Sequence, residues 1–557
     1  MMKRLLDLKL LVFSLSLIAT MNATFSNSSN IQGNVNQDYD YFATTECLKE
    51  PLPAQYGGGI ITETKSVNGS VFPKRVQLQD GLYYVLSAWV QASEGSEKII
   101  TAAFKHSTGA VTEAGTVVAS HGCWSMLKGG IVANVTTPAD IIFKAEDPSA
   151  QIWVDNVSLQ PFTEEQWRSH QEQRISKVRK RMIRLNVRDA NDNSKTLGGA
   201  KVTIKQVKQH FPFGCSMTKN IVNNQQYQSW FSSRFRVTTF RNEMKWYDNE
   251  PSQGQENYAN PDYMVNFAQT HGISIRGHNV FWEDPHYQPN WVYGLNSNQL
   301  WDATNKRINS VMSRYKGKVI SWDVVNENLH FRFFDDKLGN NGFSGIEYAK
   351  ALQLAGGTPL FMNEYNTVED GRDPASLPQN YINKLRQIQG SVGGAPIGIG
   401  LQSHFSGYQP NIVYMRSALD TLGATRMPIW LTEVDVKPNP NQVQYFEQIL
   451  REGYAHPAVE GIVMWAGPAV DSYDMTLADN SFSNTPAGNL VDKLLNEWKS
   501  GVEELTTDDS GLLQVSLFHG EYQVTVVHPA TNSSAILSVD INNKLPEDES
   551  FEMHIHV

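Results

Sequence analysis

Between residues 210 and 500, eight short apolar runs alternate with segments of helical spacing. The runs are FPFGCS (211–216), VTTFRNE (237–243), ISIRGHN (273–279), VISWDVVNE (319–327), PLFMNEYN (359–366), IGIGLQSH (397–404), IWLTEVD (429–435) and GIVMWAGP (461–468). Most of them stop at polar or aromatic residues. NPDYMVNFAQTHG, NSNQLWDATNKRINSVMSRYKG and NPNQVQYFEQILREGYAHP are three of the helical segments between them. Eight strand-then-helix units over about 290 residues predict a (β/α)8 TIM barrel, an α/β fold. Such barrels carry their chemistry at the C-terminal ends of the strands, where these runs turn polar.

The rest of the chain divides around that barrel. Lys3 and Arg4, the apolar stretch 8–18, and the small or polar residues Ala19, Thr20 and Ala23 have the layout of a secretory signal peptide over 1–23. Residues 24–40 are rich in Asn and Ser and read as flexible. Residues 41–160 show short β runs split by Gly, Ser, Asn and Pro, the spacing of an N-terminal β-sandwich module. Its aromatics Tyr83, Tyr84, Trp89, Trp124 and Trp153 either pack into the core or offer a sugar a flat platform. Residues 161–209 read as a linker helix followed by strands, and 501–557 as C-terminal strands. The strand-turn-strand patterns on the two sides of the barrel suggest one small β-sandwich built from both flanks. The basic residues Arg174, Lys177, Arg179, Lys180, Arg181 and Arg184 read as a solvated helix face.

Composition narrows the function. The formal charge is −10, and no basic domain stands out, which argues against a nucleic-acid partner. Hydrophobic residues make up 40% of the chain, enough for a large core. Three cysteines exclude a four-cysteine zinc site. In an oxidising compartment Cys47 and Cys123 can pair, leaving Cys215 free and buried. N-glycosylation sequons begin at Asn22, Asn27, Asn68, Asn134, Asn156 and Asn532, all outside the barrel, and the last five are candidate glycan sites. His554 and His556 share one strand face and read as solvated. No phosphate-binding glycine loop is present, and neither metal nor cofactor is implied.

Two strand ends present glutamates. Glu327 closes the fourth run and Glu433 lies in the seventh. In a closed eight-stranded barrel these strands face each other across the mouth, so the two carboxyl groups converge. A pair of carboxyl groups flanking one pocket is what acetal hydrolysis requires.

The motifs WDVVNE and LTEVDV resemble the two signatures of glycoside hydrolase family 10, the β-1,4-xylanases, and the likeness covers about 200–500. The flanks are similar to the plant members: FATTECL (42–48) and the sandwich pattern resemble carbohydrate-binding module family 22, and a TDD-x-G turn marks the C-terminal strands. The resemblance implies Glu327 as acid/base and Glu433 as nucleophile. It implies that Asn242, Lys245, His278, Trp282, Asn326, Gln402, His404 and Trp465 bind substrate, and that His404 and Asp435 orient the nucleophile. It further implies a retaining mechanism, with carboxyl groups about 5–5.5 Å apart. Four departures stand out: Arg241 where Glu is usual, Glu283 where many members have His, Glu364 where Asp is commoner, and no second Trp after Trp465, with Tyr473 the expected substitute.

The resulting expectation is a secreted, monomeric endo-β-1,4-xylanase of the cell wall, free of the membrane once its signal is cleaved. Its partner is xylan or a related β-1,4-linked polysaccharide. The alternatives are a xylan transglycosylase on the same barrel and a catalytically weak glycan-binding protein.

Overall fold

The computed structural model describes residues 38–557 except 58–64, 69–73, 94, 96, 543, 545, 547 and 548, and only the backbone of 65–68. The expected signal peptide and the sequon at Asn27 lie outside the described residues, as does the Asn68 side chain. Among the described residues no helix is long and apolar enough to cross a membrane.

The eight apolar runs form eight parallel strands: β1 (Phe213–Met217), β2 (Val237–Phe240), β3 (Ser274–Trp282), β4 (Ser321–Asn326), β5 (Leu360–Glu364), β6 (Gly398–Leu401), β7 (Ile429–Val436) and β8 (Val459–Met464). Neighbours pair in chain order, and β1 pairs with β8, so the barrel closes. Nearly every strand residue is buried, because side chains pointing outward meet helices and side chains pointing inward meet each other. Val237, Phe361, Trp430 and Val463 come from β2, β5, β7 and β8 and pack together. Strands on opposite sides of a barrel meet this way only through its interior.

The N-terminal sandwich has two four-stranded antiparallel sheets. One orders Lys65–Asn68, Gln151–Phe162, Tyr83–Ala92 and Ser125–Val132; the other orders Lys74–Leu78, Thr137–Ala145, Lys98–His106 and Val111–Ala119. Leu86, Val90, Ile100, Phe104, Phe143 and Ile152 fill the space between them. Cys47 and Cys123 are disulfide-bonded, and Cys215 is free and buried. The aromatics are absorbed by packing. Tyr83 stacks on Trp167 at 5.3 Å. Tyr84 lies in the sandwich core. Trp89 and Trp124 are buried together with Met126, and Trp153 is half-buried beside them. Asn134 and Asn532 are exposed, whereas the Asn156 amide nitrogen donates to the Leu52 carbonyl at 2.8 Å.

Helix α1 (Glu164–Val178) starts at a capping box, with Thr163 and Gln166 bonding each other's backbone N–H. It lies between the sandwich and the barrel. The sandwich also sits on barrel helix α2 (Ile412–Gly423), which links β6 to β7. Lys128 pairs with Asp420 at 2.7 Å, and each side chain is 1% exposed. Asp420 also accepts from Tyr39 at 2.7 Å and sits 3.0 Å from His456. Arg416 grips Glu452 through two bonds of 2.6 and 2.9 Å, and Glu452 also accepts from Trp167. The backbones approach closely: Asn411 donates to the Gly130 carbonyl at 2.9 Å, and a Cβ on Gly130 would fall 2.3 Å from Val413.

The second sandwich draws on both flanks of the barrel. One sheet holds Asp192–Thr196, Lys180–Asp189, Leu512–Phe518 and Phe551–His556; the other holds Val502–Thr506, Lys201–Gln209, Gly520–His528 and Ser533–Ile541. Ile183, Leu185, Val202, Ile204, Leu517 and Val524 form its core. The basic run before it corrects the expected solvated face in part: Lys177 and Arg184 are exposed, but Arg179 and Arg181 are not. Helix α1 ends at Val178, and Arg179 turns inward to donate to the carbonyls of Tyr454, His456 and Val459 at 2.7–2.9 Å. Arg181 is 3% exposed and donates to the carbonyls of Pro546 and Glu549. Free carbonyls at the ends of packed elements attract guanidinium groups as strongly as water does, so a charge run need not face solvent.

Candidate active site

Glu327 follows the last residue of β4, and Glu433 lies within β7. Glu327 takes a left-handed backbone conformation, φ 58°, which non-glycine residues seldom adopt. Its N–H donates to the Asn363 carbonyl at 3.0 Å, which holds the turn. Both glutamate side chains are buried, at 6% and 4% exposure.

Two amides join them. Gln402 donates to Glu327 Oε1 at 3.0 Å, and its own carbonyl accepts the Glu433 N–H at 2.9 Å. Asn363 donates one bond to Asn326 Oδ1 at 2.9 Å and another to Glu433 Oε1 at 2.8 Å. Its carbonyl oxygen accepts from Thr432 at 2.6 Å, which fixes the amide's direction. Asn326 is therefore held beside both glutamates.

Two imidazoles approach the Glu433 carboxylate from different strands. His278 Nε2 lies 3.9 Å from Oε1, and His404 Nε2 lies 3.6 Å from Oε2. Each ring is anchored by its other nitrogen, His278 on Asp323 and His404 on Asp435, both at 2.9 Å. Asp323 is in turn paired with buried Arg276 at 2.5 Å. The Lys245 ammonium lies 4.3 Å over the Trp282 ring and 5.6 Å over the Trp465 ring. Trp465 meets His278 and His404 edge-on at 6.0 and 6.3 Å. Trp282 stacks on Tyr287 at 4.0 Å. Asn242, just past β2, is half-buried and accepts from the Tyr247 hydroxyl at 2.9 Å.

These surroundings drive the two carboxyl groups apart. Burial pushes Glu327 up to about 7, and the nearby charges of Glu364 and Glu433 add to the rise. Burial acts on Glu433 in the same direction, but His278, His404 and Lys245 outweigh it and bring the group down to about 2. Burial also opposes protonation of His404, yet Asp435 and Glu433 raise its pKa well above the usual value. Lys245 is lowered by burial to about 8, against the pull of both glutamates. Below about pH 7 the pocket therefore favours an ionised Glu433 opposite a protonated Glu327. Carboxyl groups whose surroundings separate them in this way are chemically able to serve one as a nucleophile and the other as an acid.

The sequence-expected residues Asn326, Gln402, His278, His404, Asp435, Lys245, Trp282 and Trp465 surround the two glutamates. Sequence reasoning gives several of their partners no role, although Asp323 stands inside WDVVNE. Asn363, Asp323 and Arg276 belong to barrel strands β5, β4 and β3, and their place on strands ending at the mouth is the signal that points to them. Glu364 accepts from Leu329 N–H at 2.9 Å and from His330 at 2.7 Å, and the far nitrogen of His330 meets Asp373 at 2.8 Å. Glu283 is 1% exposed, accepts from Phe334 N–H, and is pushed by burial to about 8, so it braces the wall as a neutral acid. Tyr473 is buried, edge-on to Trp465 at 6.5 Å, and accepts from Ser216 at 2.7 Å.

The family model for glycosyl hydrolase family 10 matches residues 203–491. The chain is 41% identical over 535 residues to "Endo-1,4-beta-xylanase 5-like" of Arabidopsis thaliana, covering 92% of this chain and 93% of that protein. It is 42% identical over 529 residues to "Endo-1,4-beta-xylanase 4" of the same plant, covering 91% and 92%. Among solved structures, xylanase 10B from Thermotoga petrophila RKU-1 is similar at TM-score 0.46 and 21% identity, covering 52% of this chain and 94% of that one. With a closed parallel barrel, a family match over more than half its length and full-length relatives above 40% identity, the chain belongs to glycosyl hydrolase family 10.

Proposed function

We propose that the protein is a secreted endo-β-1,4-xylanase that cleaves cell-wall xylan with retention of configuration. Glu433 attacks the anomeric carbon as Glu327 gives its proton to the departing oxygen. The glycosyl–oxygen bond breaks, and an ester to Glu433 forms. Glu327, now ionised, takes a proton from water, whose oxygen displaces Glu433 and restores both groups. Asn326 grips the sugar hydroxyl next to the reacting carbon. Lys245, Asn242, His278 and Gln402 hydrogen-bond the sugars, and Trp282 and Trp465 give them apolar faces. His404, fixed by Asp435, keeps the nucleophile in place.

The observation carrying this reading is the pair of buried glutamates with opposite protonation, joined through Gln402 and Asn363. The names of the plant relatives support xylan as substrate. The basic and apolar N-terminal layout supports secretion.

Reducing-end release from xylan, with mixed-linkage glucan and mannan as controls, tests the assignment. Release from xylan alone is expected, lowered at least about 10⁴-fold in Glu433→Ala. NMR of the first product is expected to show the β-anomer. Equal turnover of glucan, an active Glu433→Ala protein, or an α-anomer formed first sinks the respective part.

A further inference from the structure

The wall beside Lys245 carries a second cation. Arg241 directly follows β2 at the barrel mouth. Its guanidinium carbon lies 4.3 Å over the centre of the Tyr473 ring, and Nη1 donates to the Asp471 backbone carbonyl at 2.7 Å. Among the described residues it forms no ion pair. The Asp471 carboxylate is already occupied: it accepts from Thr218 at 2.5 Å, Asn220 at 2.9 Å and Tyr227 at 2.5 Å. Arg241 is half-buried, and among the described residues its Nε and Nη2 make no hydrogen bond.

Tyr473 links this cation to the reaction site. It touches Trp465 edge-on, and Trp465 underlies Lys245. Arg241 and Lys245 thus flank one aromatic wall, in a chain whose net charge is −10. A guanidinium held by a ring contact and one backbone bond, with its remaining N–H groups free, is a preorganised fork for a carboxylate. Such a group costs little ordering entropy when it binds.

Building on the proposed xylanase activity, we propose that Arg241 binds a carboxylate borne by the substrate, so that the enzyme prefers xylan carrying uronic-acid substituents near the Lys245 side of the cleft. The competing role for Arg241 is to brace Tyr473 and the 471–473 turn.

The test compares one uronic-acid-bearing xylan with the same polymer after its carboxyl groups are reduced to alcohols. Length and branching stay the same while the charge disappears. Wild-type kcat/KM is expected to favour the acidic polymer by about five- to tenfold, as a charge-assisted contact at a partly exposed site gives. The ratio is expected to shrink with rising ionic strength. In Arg241→Gln it falls towards one, and Arg241→Lys restores part of it. A wild-type ratio of one, or an unchanged ratio in Arg241→Gln, overturns the proposal. Equal losses on both polymers in Arg241→Gln assign the residue to bracing. Calorimetric binding of acidic and carboxyl-reduced xylo-oligomers to Glu433→Ala, with and without Arg241→Gln, separates the same two roles if turnover fails. Inactivity on every xylan, with charge-selective binding retained, counts against the reaction and not against this site.

Discussion

The proton on Glu327 answers to side chains that lie behind it. Glu364 is buried, and its charge raises the Glu327 pKa. His330 compensates that charge. Burial opposes its protonation, but Glu364 and Asp373 raise it to about 9, and its ring stacks on Tyr365 at 3.9 Å. In the proposed first step Glu327 must be protonated and Glu433 ionised. The productive form therefore lies between about 2 and about 7, and the alkaline limb of kcat/KM follows Glu327. Glu364→Gln removes a negative charge, which favours ionised Glu327 and moves that limb to lower pH. His330→Gln leaves Glu364 uncompensated, which favours protonated Glu327 and moves the limb up. Each displacement is expected to be roughly half a pH unit or more. Gln402, Trp282 and Glu433, which also face Glu327, stay unchanged. A pH–rate profile in which both variants move the limb the same way contradicts this reading. At this scale the two glutamates were legible because each stands at a polar strand end. Asn363 was not, because its two donated bonds reach residues 37 and 70 positions away, which no local pattern records.

Whole elements were easier to read than their contacts. A barrel strand is buried on both faces, so it appears as a mostly apolar run, although buried polar residues such as Thr238, Thr239, Arg276 and Asp323 interrupt some of the eight. The inward turn of Arg179 did not, since its partners are carbonyls of residues 454–459. Glycines in the strands mark where neighbours come closest. A Cβ on Gly461, in β8, would fall 2.6 Å from the Trp430 ring of β7, which already packs on Val237, Phe361 and Val463 and lies 5.1 Å from the Arg276 guanidinium. Gly461→Ala is expected to cost about 1–3 kcal/mol by overpacking. That lowers the calorimetric Tm by several degrees. An unchanged Tm means that the indole shifts freely and that the barrel interior is looser than described.

Across the whole molecule, the N-terminal sandwich is bound to the barrel through buried charge. Lys128 and Asp420 are nearly sealed from water, so removing one leaves the other desolvated. Lys128→Met is expected to destabilise the protein by about 3–5 kcal/mol, and adding Asp420→Leu to recover only part of that loss, because it also strips Tyr39 and His456 of their partner. Denaturant unfolding of the two variants checks both numbers, and a single variant as stable as wild type refutes the account. None of this was visible in sequence, where Tyr39 and Asp420, 381 positions apart, were a tyrosine in a polar tail and an acid in a helix. The second sandwich has a consequence for biosynthesis. Its last strand, Phe551–His556, lies beside Lys180–Asp189, which places Glu552 next to Arg184 across 368 residues. At a translation rate of about 5–20 residues per second, Lys180–Asp189 waits on the order of 20–70 s for that neighbour. Until residues 551–556 are made, the nascent chain shows the ribosome's surroundings an open strand edge, while the barrel between the two partners is already complete enough to fold.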